Sequence, residues 1–388
     1  TKRAFSLKSD QDLQRSVFIF RLMSTPFLVP ILTFFTNLSL KLRLPVEWII
    51  RKTIFEQFCG GESQKKCLPL VKLMYSKGVH SVLDYSVEGK KNEEDFDKTA
   101  ETKIKIIEFA GEAKEIPFAV AKPTGLGRFE IWEKITSKAT LSKEEEEEWS
   151  RIKIRFENIC QAAHDLDVKI LIDAEESWMQ DAADQLCEEM MKKFNKNKAI
   201  IYNTLQCYRW DRLAYTKELH ERARNENFKL GFKVVRGAYM EKENNRARKK
   251  GYPTPICEDK EATDVNFNAV MNYCLDHIED IHVFIGTHNE VSSYMALQFL
   301  GQMGVSLDDK RVWFGQLYGM SDHISYNIGA ETSNAIKLIP FGPIREVIPY
   351  LIRRAKENSS VQGEANRELA LLTEEQDRRK GQFVKRVE

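Results

Sequence analysis

The sequence has little of what marks several protein classes. Seven cysteines occur, at 59, 67, 160, 187, 207, 257 and 274, but no two have C-x-x-C spacing. None forms a local zinc pattern with histidine, so they read as reduced, mostly buried thiols of a reducing compartment. A disulfide framework or a metal site is disfavoured. The seven histidines include no His-x-His or His-x-x-x-His pair, which argues against a divalent metal centre. G-x-x-x-x-G-K-[ST] occurs nowhere, and no G-x-G-x-x-G follows an early strand, which counts against an open nucleotide-binding sheet. A G-x-S-x-G hydrolase elbow is also missing. Charge of one sign is absent too: 59 Lys+Arg against 58 Asp+Glu leave a net charge of +1. That balance lacks the basic excess of a dedicated nucleic-acid binder, so no nucleic-acid role is expected.

What is present is a core-forming composition. Hydrophobic residues at 42% and aromatics at 10% exclude a mainly disordered chain. A length of 388 residues allows two or three domains, or one large α/β barrel with additions. Residues 17–35, VFIFRLMSTPFLVPILTFF, are apolar enough to raise a membrane question. A spanning helix needs about 20 apolar residues without breakers, and this run holds Arg21, Pro26 and Pro30. No basic segment with a small-residue cleavage site precedes it. The run predicts a pair of short buried helices broken near the prolines, with peripheral membrane contact as the alternative.

From about residue 80 short β-rich runs alternate with long amphipathic stretches. Eight strands are predicted: 79–86, 116–122, 168–173, 198–206, 230–236, 281–287, 311–317 and 334–340. Helical patterns lie between them, at 178–194, 211–227, 262–277, 290–303 and 319–330. Strands separated by helices predict parallel βαβ units, and eight of them suggest a closed (β/α)8 barrel, an α/β fold. Residues 1–78 lack the rhythm and read as an N-terminal helical region. The barrel is expected over 79–358, with a charged C-terminal tail at 359–388 that is helical or frayed. The acidic run Glu144–Glu148 reads as a solvated first turn of a helix.

Barrel enzymes place their reactive groups at the C-terminal ends of the strands. Strand two ends in Lys122, strand three in Asp173-Ala174-Glu175-Glu176, and strand four in Gln206-Cys207-Tyr208. Strand five carries Lys233 and Arg236, then Gly237-Ala238-Tyr239. Thr287-His288-Asn289 closes strand six, Gln316-Leu317-Tyr318 strand seven, and Pro340-Phe341-Gly342 strand eight. Singly, each has an ordinary explanation, such as a helix cap or a snorkelling lysine. Polar groups at seven of eight strand ends make a site the better reading. After the last strand, YLIRRAKE (350–357) sets Arg353 beside Arg354, with Glu357 one turn on. Guanidinium forks bind a carboxylate or phosphate through paired hydrogen bonds, although an Arg-Arg pair alone is more often a solvated helix face.

The motifs DAEES (173–177), NTLQCY (203–208), KVVRGAYMEKE (233–243), THNE (287–290), FGQLYGM (314–320) and IPFG with YLIRRAKEN (339–342, 350–358) resemble, in order, the proline dehydrogenase family of flavoenzymes. FCGGES (58–63) is similar to its monofunctional members. The resemblance implies a distorted (β/α)8 TIM barrel with FAD at the strand C-termini. It implies oxidation of L-proline to Δ1-pyrroline-5-carboxylate, with electrons passing to a membrane quinone and functional coupling to a pyrroline-5-carboxylate dehydrogenase. By the same resemblance Arg353, Arg354 and Lys122 hold the substrate carboxylate. Tyr239, Leu317 and Tyr350 enclose the ring, and Asp173 and Glu357 organise the polar side. Ala174, Gln206, Lys233, Val235, Arg236, Gly237, Ala238, Thr287 and His288 match flavin contacts. Lys233 stands where a basic group near flavin N5 is expected, and is grouped with Asp173 as catalytic.

The sequence departs from the family in one place. Proline-specific members carry a tyrosine where this chain has Leu338, and the hydroxyproline-oxidising relatives lack it. Leu338 therefore opens the alternative of trans-4-hydroxy-L-proline as substrate. A third reading, from another class, is a catalytically silent barrel that binds an acidic ligand through its arginines. The short stretch between Lys122 and Asp173 is similar to compact bacterial members, which points to the bacterial cytoplasm at the inner membrane; the mitochondrial inner membrane is the alternative.

Overall fold

The structure is a computed structural model. It describes every residue except 26, 43–44, 87–91, 361 and 388, with side chains also left undescribed at 37–38, 40–41, 359–364 and 382–387. Eight parallel strands close into a barrel in sequence order. They are β1 (Val79–Tyr85), β2 (Phe118–Ala121), β3 (Lys169–Ile172), β4 (Ile201–Gln206), β5 (Leu230–Val235), β6 (Ile281–Gly286), β7 (Val312–Leu317) and β8 (Ala335–Phe341). Seven fall within their predicted runs, and β8 extends one residue past its own, to Phe341. The ring is sealed where β8 pairs with β1 from Val79–Ala335 to Tyr85–Phe341.

Strands buried on both faces need apolar residues at nearly every position, and these supply them. Inside the ring, Phe118 meets the edges of Tyr202, Phe284 and Trp313 at centroid distances of 5.5, 5.3 and 5.2 Å. The Lys169 ammonium, at the start of β3, lies 5.4 Å from the Phe118 ring. This aromatic layer, with Val82, Val120, Leu171 and Ile336, fills the barrel. Outside, the helices Ser177–Phe194, Lys260–Asp276 and Glu290–Gln302 cover the strands with their buried faces. The Glu144–Glu148 run does open a capped helix, Lys143–Asp165. It is less solvated than expected: Glu148 takes both Arg128 nitrogens at 2.8 Å, and Glu145 pairs with Lys134.

The two chain ends share a second core. Helices Asp10–Met23 and Ile344–Ser360 pack with the C-terminal helix Gln362–Val387 through Leu13, Phe20, Val347, Leu351 and Leu372. Arg379 fastens the C-terminal helix to the carbonyls of Phe5 and Lys8 and to Asp10. The 58–63 segment lies along the end of β8: Gly60 N–H donates to Pro340 O at 2.9 Å, and Gly342 N–H to Gly61 O at 3.1 Å. After β7, Gly319 (φ +83°) comes so close that an added Cβ would stand 2.0 Å from Gln57 O. Only glycine fits that turn, and Gln57 closes it by donating to Gly319 O at 2.7 Å.

The apolar run at 17–35 forms two helices, Asp10–Met23 and Leu28–Lys41, bent by 106°. The expected break at Pro26 lies outside the described residues. Pro30 sits in the first turn of the second helix, where its missing N–H costs nothing. The second helix is not buried as expected. Phe27, Ile31, Leu32, Phe34 and Phe35 are exposed, as are Trp48 and Ile49 just beyond. Among the described residues no single helix is long and apolar enough to cross a membrane.

One buried ion pair ties β1 to its following helix, Glu93–Gly111. Lys103 Nζ donates to Asp84 Oδ1 at 3.2 Å, and Ser86 Oγ donates to Asp84 Oδ2 at 2.9 Å. Burial alone would push the Asp84 carboxyl up, but Lys103 and Lys122 more than offset it and hold it at about 2. Its stabilisation is therefore complete above the unfolded value near 3.8 and is lost as pH falls towards 2. Asp84→Asn should lower stability near neutral pH by about 3 kcal/mol, because it leaves the Lys103 ammonium buried alone. Urea unfolding at pH 7 and pH 3 should show the gap narrowing at the lower pH, and a pH-independent gap would contradict this account.

Candidate active site

The barrel gathers the predicted residues at one end because all eight strands point the same way. On the β3–β5 side, Lys233 Nζ donates to Asp173 Oδ1 at 2.7 Å. Gln206 is buried beside them. Its amide donates to Glu175 O at 2.7 Å, while its oxygen accepts the Ala238 N–H at 3.4 Å. The chain then turns through Gly237 at φ +131°, where a Cβ would strike the Tyr208 ring at 2.4 Å. The peptide at Gly237–Ala238 stays exposed at the mouth. Arg236 is held from three directions, by Asp264 Oδ1 at 2.6 Å, Thr287 Oγ1 at 2.7 Å and Ser292 Oγ at 3.1 Å, with its guanidinium over Phe267.

On the β6–β8 side, His288 Nδ1 meets Ser321 Oγ at 2.8 Å, and Leu317 N–H reaches Nε2 at 3.4 Å. Burial first, then Lys337 and Arg354, hold this imidazole down at about 3, so it stays neutral. Helix Ile344–Ser360 follows β8 and carries the arginine pair. Glu357 Oε2 lies 2.6 Å from Arg354 and its Oε1 3.9 Å from Arg353. Both guanidinium groups stand about 6 Å from the Tyr350 ring, at 5.8 and 5.6 Å. Arg354 Nε is buried without a hydrogen-bond partner.

A cavity of about 640 Å³ opens between the ends of β1–β3 and these groups. Lys122, Tyr239 and Arg353 line it, together with Tyr85, Lys103, Glu175 and the Gly125–Glu130 loop. Burial pushes the Tyr239 hydroxyl well up, assisted by Glu175 and Glu176, so it remains a phenol. The Glu175 carboxyl is also raised by burial, although Thr124 opposes this with two hydrogen bonds of 2.9 and 2.7 Å.

Thus the structure joins Asp173 with Lys233, Gln206 with Ala238, Arg236 with Thr287, His288 with Leu317, and Arg353 and Arg354 with Glu357. Ala174 and Val235 lie beside these at the ends of β3 and β5. It does not bring every expected residue to the cavity. Leu317, Tyr350 and Arg354 are not among its lining. Leu338 packs against the interior cluster around Ile336 and Trp313. Sequence reading missed the β1–β2 wall of the cavity and the partners of Arg236. It also passed over Lys337, fully buried within β8, which pairs with Asp322 at 2.8 Å and donates to Met320 O. The signal was available: a lysine inside an apolar strand needs a buried partner. An anionic, partly planar cofactor fits this mouth. Lys233 and Arg236 supply positive charge, the Gly237–Ala238 backbone leaves room for close approach, and Arg354 has an unused donor.

Comparison with known proteins bears on what uses this mouth. The family model described as proline dehydrogenase matches residues 67–367. A carbapenem antibiotics biosynthesis protein, CarD, of Pectobacterium carotovorum is 34% identical over 83% of this chain and 83% of its own. Mitochondrial proline dehydrogenase 1 of Dictyostelium discoideum is 30% identical over 98% of this chain and 74% of its own. A hydroxyproline dehydrogenase of Xenopus laevis is 29% identical over 97% and 88%. Among solved structures, proline utilization A from Bdellovibrio bacteriovorus superposes with a TM-score of 0.70 at 19% identity, over 95% of this chain. The chain spans 40% of that protein's length, and the likeness supports the barrel fold.

Proposed function

Because the chain belongs to the proline dehydrogenase family, we propose that it is a flavoenzyme that oxidises L-proline to Δ1-pyrroline-5-carboxylate, with FAD at the barrel mouth. The observation that carries the reading is the Arg353–Arg354–Glu357 cluster beside a cavity that Lys122 and Tyr239 also line. A small amino acid brings a carboxylate, an amine and an apolar ring. The two guanidinium groups bind the carboxylate, and Glu357 holds them in place meanwhile. Tyr239 lines the cavity on the apolar side, and Tyr350 stands beside the arginine pair. FAD, when bound, supplies the hydride acceptor. Lys233, fixed by Asp173, and Arg236, fixed by Asp264 and Thr287, set positive charge where the reduced cofactor needs it. Orientation by this clamp contributes by holding the reacting carbon in near-attack geometry. The product is the substrate of a pyrroline-5-carboxylate dehydrogenase, the expected functional partner.

We place the electron acceptor, a quinone, at a bilayer surface. The support is the exposed apolar face of helix Leu28–Lys41 with Trp48, which is 69% exposed. Residues 21–52 also hold five Lys or Arg and one Glu, a local net charge of 5 − 1 = +4 within a chain of +1. An amphipathic element of this kind lies in the interface rather than across it.

A second substrate reading rests on Leu338 and on the hydroxyproline dehydrogenase relative. Leucine keeps an apolar wall without the bulk of tyrosine.

Four outcomes are expected. The purified protein should be yellow and bleach on adding L-proline, whereas a protein that takes up no flavin would exclude the flavoenzyme and favour the silent anion-binding barrel. Arg354→Met should raise KM for proline by at least about tenfold while FAD stays bound; unchanged kinetics would refute the clamp. Proline and trans-4-hydroxy-L-proline are compared by kcat/KM, and Leu338→Tyr should move the ratio towards proline; a clear excess for hydroxyproline in the unmodified protein would replace the first substrate by the second. Flotation with anionic vesicles tests the membrane surface: Phe34→Ser with Phe35→Ser should release the protein, and equal flotation would remove that helix from the contact.

A further inference from the structure

Behind His288 the C-terminal helix reaches Ser321, and the N-terminal segment reaches the next residue, Asp322. Ser321 has φ +52° and ψ +39°, the left-handed region that strains a non-glycine residue. It occupies the N-cap position of helix Asp322–Glu331, where a serine hydroxyl ordinarily accepts a helix N–H. Here the hydroxyl makes no cap bond and instead meets His288 Nδ1 at 2.8 Å. The Leu317 N–H points at the other ring nitrogen, so Nε2 accepts and Nδ1 carries the hydrogen, donated to Ser321 Oγ. The backbone of Ser321 is held in turn. Its N–H donates to Glu368 Oε2 at 3.1 Å, and Glu368 lies on the C-terminal helix with 6% of its surface exposed.

The setting is charged and closed. Asp322, the next residue, pairs with buried Lys337 at 2.8 Å and with Lys8 of the N-terminal segment at 3.5 Å. His323 Nδ1 stands 3.8 Å from Glu368 Oε2, and Arg367 on the same helix pairs with Glu290. Two residues earlier, Gly319 meets a similar backbone demand without strain. A serine kept in a left-handed turn, with its hydroxyl diverted to an imidazole, is not explained by the turn alone. Strain of this kind persists where surrounding contacts over-determine it, often beside functional groups.

We propose that Ser321 and Glu368 are positioning residues for His288: Glu368 of the C-terminal helix holds Ser321 in its left-handed turn, and Ser321 fixes the tautomer and direction of the imidazole towards the FAD expected at the ends of β5 and β6. The inference rests on the flavoenzyme reading above. It makes the C-terminal helix part of the cofactor site, although none of that helix's described residues lines the cavity.

The test uses the full chain, with two readouts: the FAD dissociation constant from flavin fluorescence, and the melting temperature of the protein freed of FAD. In Ser321→Gly the strained turn is relieved and the hydroxyl is lost. The FAD-free protein should melt at the same temperature or higher, while FAD binds roughly tenfold more weakly, the loss expected from one hydrogen bond. Glu368→Gln keeps an oxygen for the Ser321 N–H and should bind FAD like the unmodified protein. Glu368→Ala should weaken binding as Ser321→Gly does. If Ser321→Gly binds FAD within about twofold of the unmodified protein, the positioning role is overturned while the flavin reading stands. If the unmodified protein itself binds no FAD, both readings fall.

Discussion

The seven-residue seam between β8 and β1 is the constraint on which the rest depends. Parallel strands have unsatisfied edges unless a sheet is covered or closed, and here closure satisfies both outer strands at once. It also forces eight C-terminal strand ends into one ring, so side chains far apart in sequence become neighbours. Asp173 and Lys233 are 60 residues apart and 2.7 Å from each other for this reason. The seam is reinforced from outside, since the Gly60–Gly61 segment lies against the β8 end.

Electrostatic pairing governs the mouth. Lys233 stands against Asp173, Arg236 against Asp264, Lys242 against Glu176, and Arg354 against Glu357. Each cation is already oriented by a carboxylate, so an arriving anion meets donors that need little reorganisation. The same pairing accounts for a nearly neutral chain that still concentrates positive groups where an anionic ligand would sit. Thiols take no part: all seven are free, and burial pushes each above its ordinary value.

The barrel was legible in the sequence because fully buried parallel strands leave continuous apolar runs, bounded by the polar residues that close them. The strand-end residues were legible for the same reason, and the order of the motifs pointed to the family. Other features left no local trace. The wall formed by Tyr85, Lys103 and the Gly125–Glu130 loop depends on how β1 and β2 are capped by their following segments. Ser321 falls inside the helical pattern at 319–330, and nothing in the sequence marks its left-handed φ. Residues 28–35 read as buried because hydrophobicity shows that a surface needs cover, not whether this chain supplies it. Lys337 was readable as an anomaly, but its partner Asp322 became evident only once β8 and the following turn of β7 were in place.

The joined helices at the two chain ends have a mechanical consequence. Arg379 binds the carbonyls of Phe5 and Lys8, and Glu368 holds the Ser321 backbone from the same helix. One helix therefore carries contacts both to the N-terminal segment and to the backbone behind His288, so the two ends of the described chain and the imidazole side of the mouth share a single lever arm outside the ring.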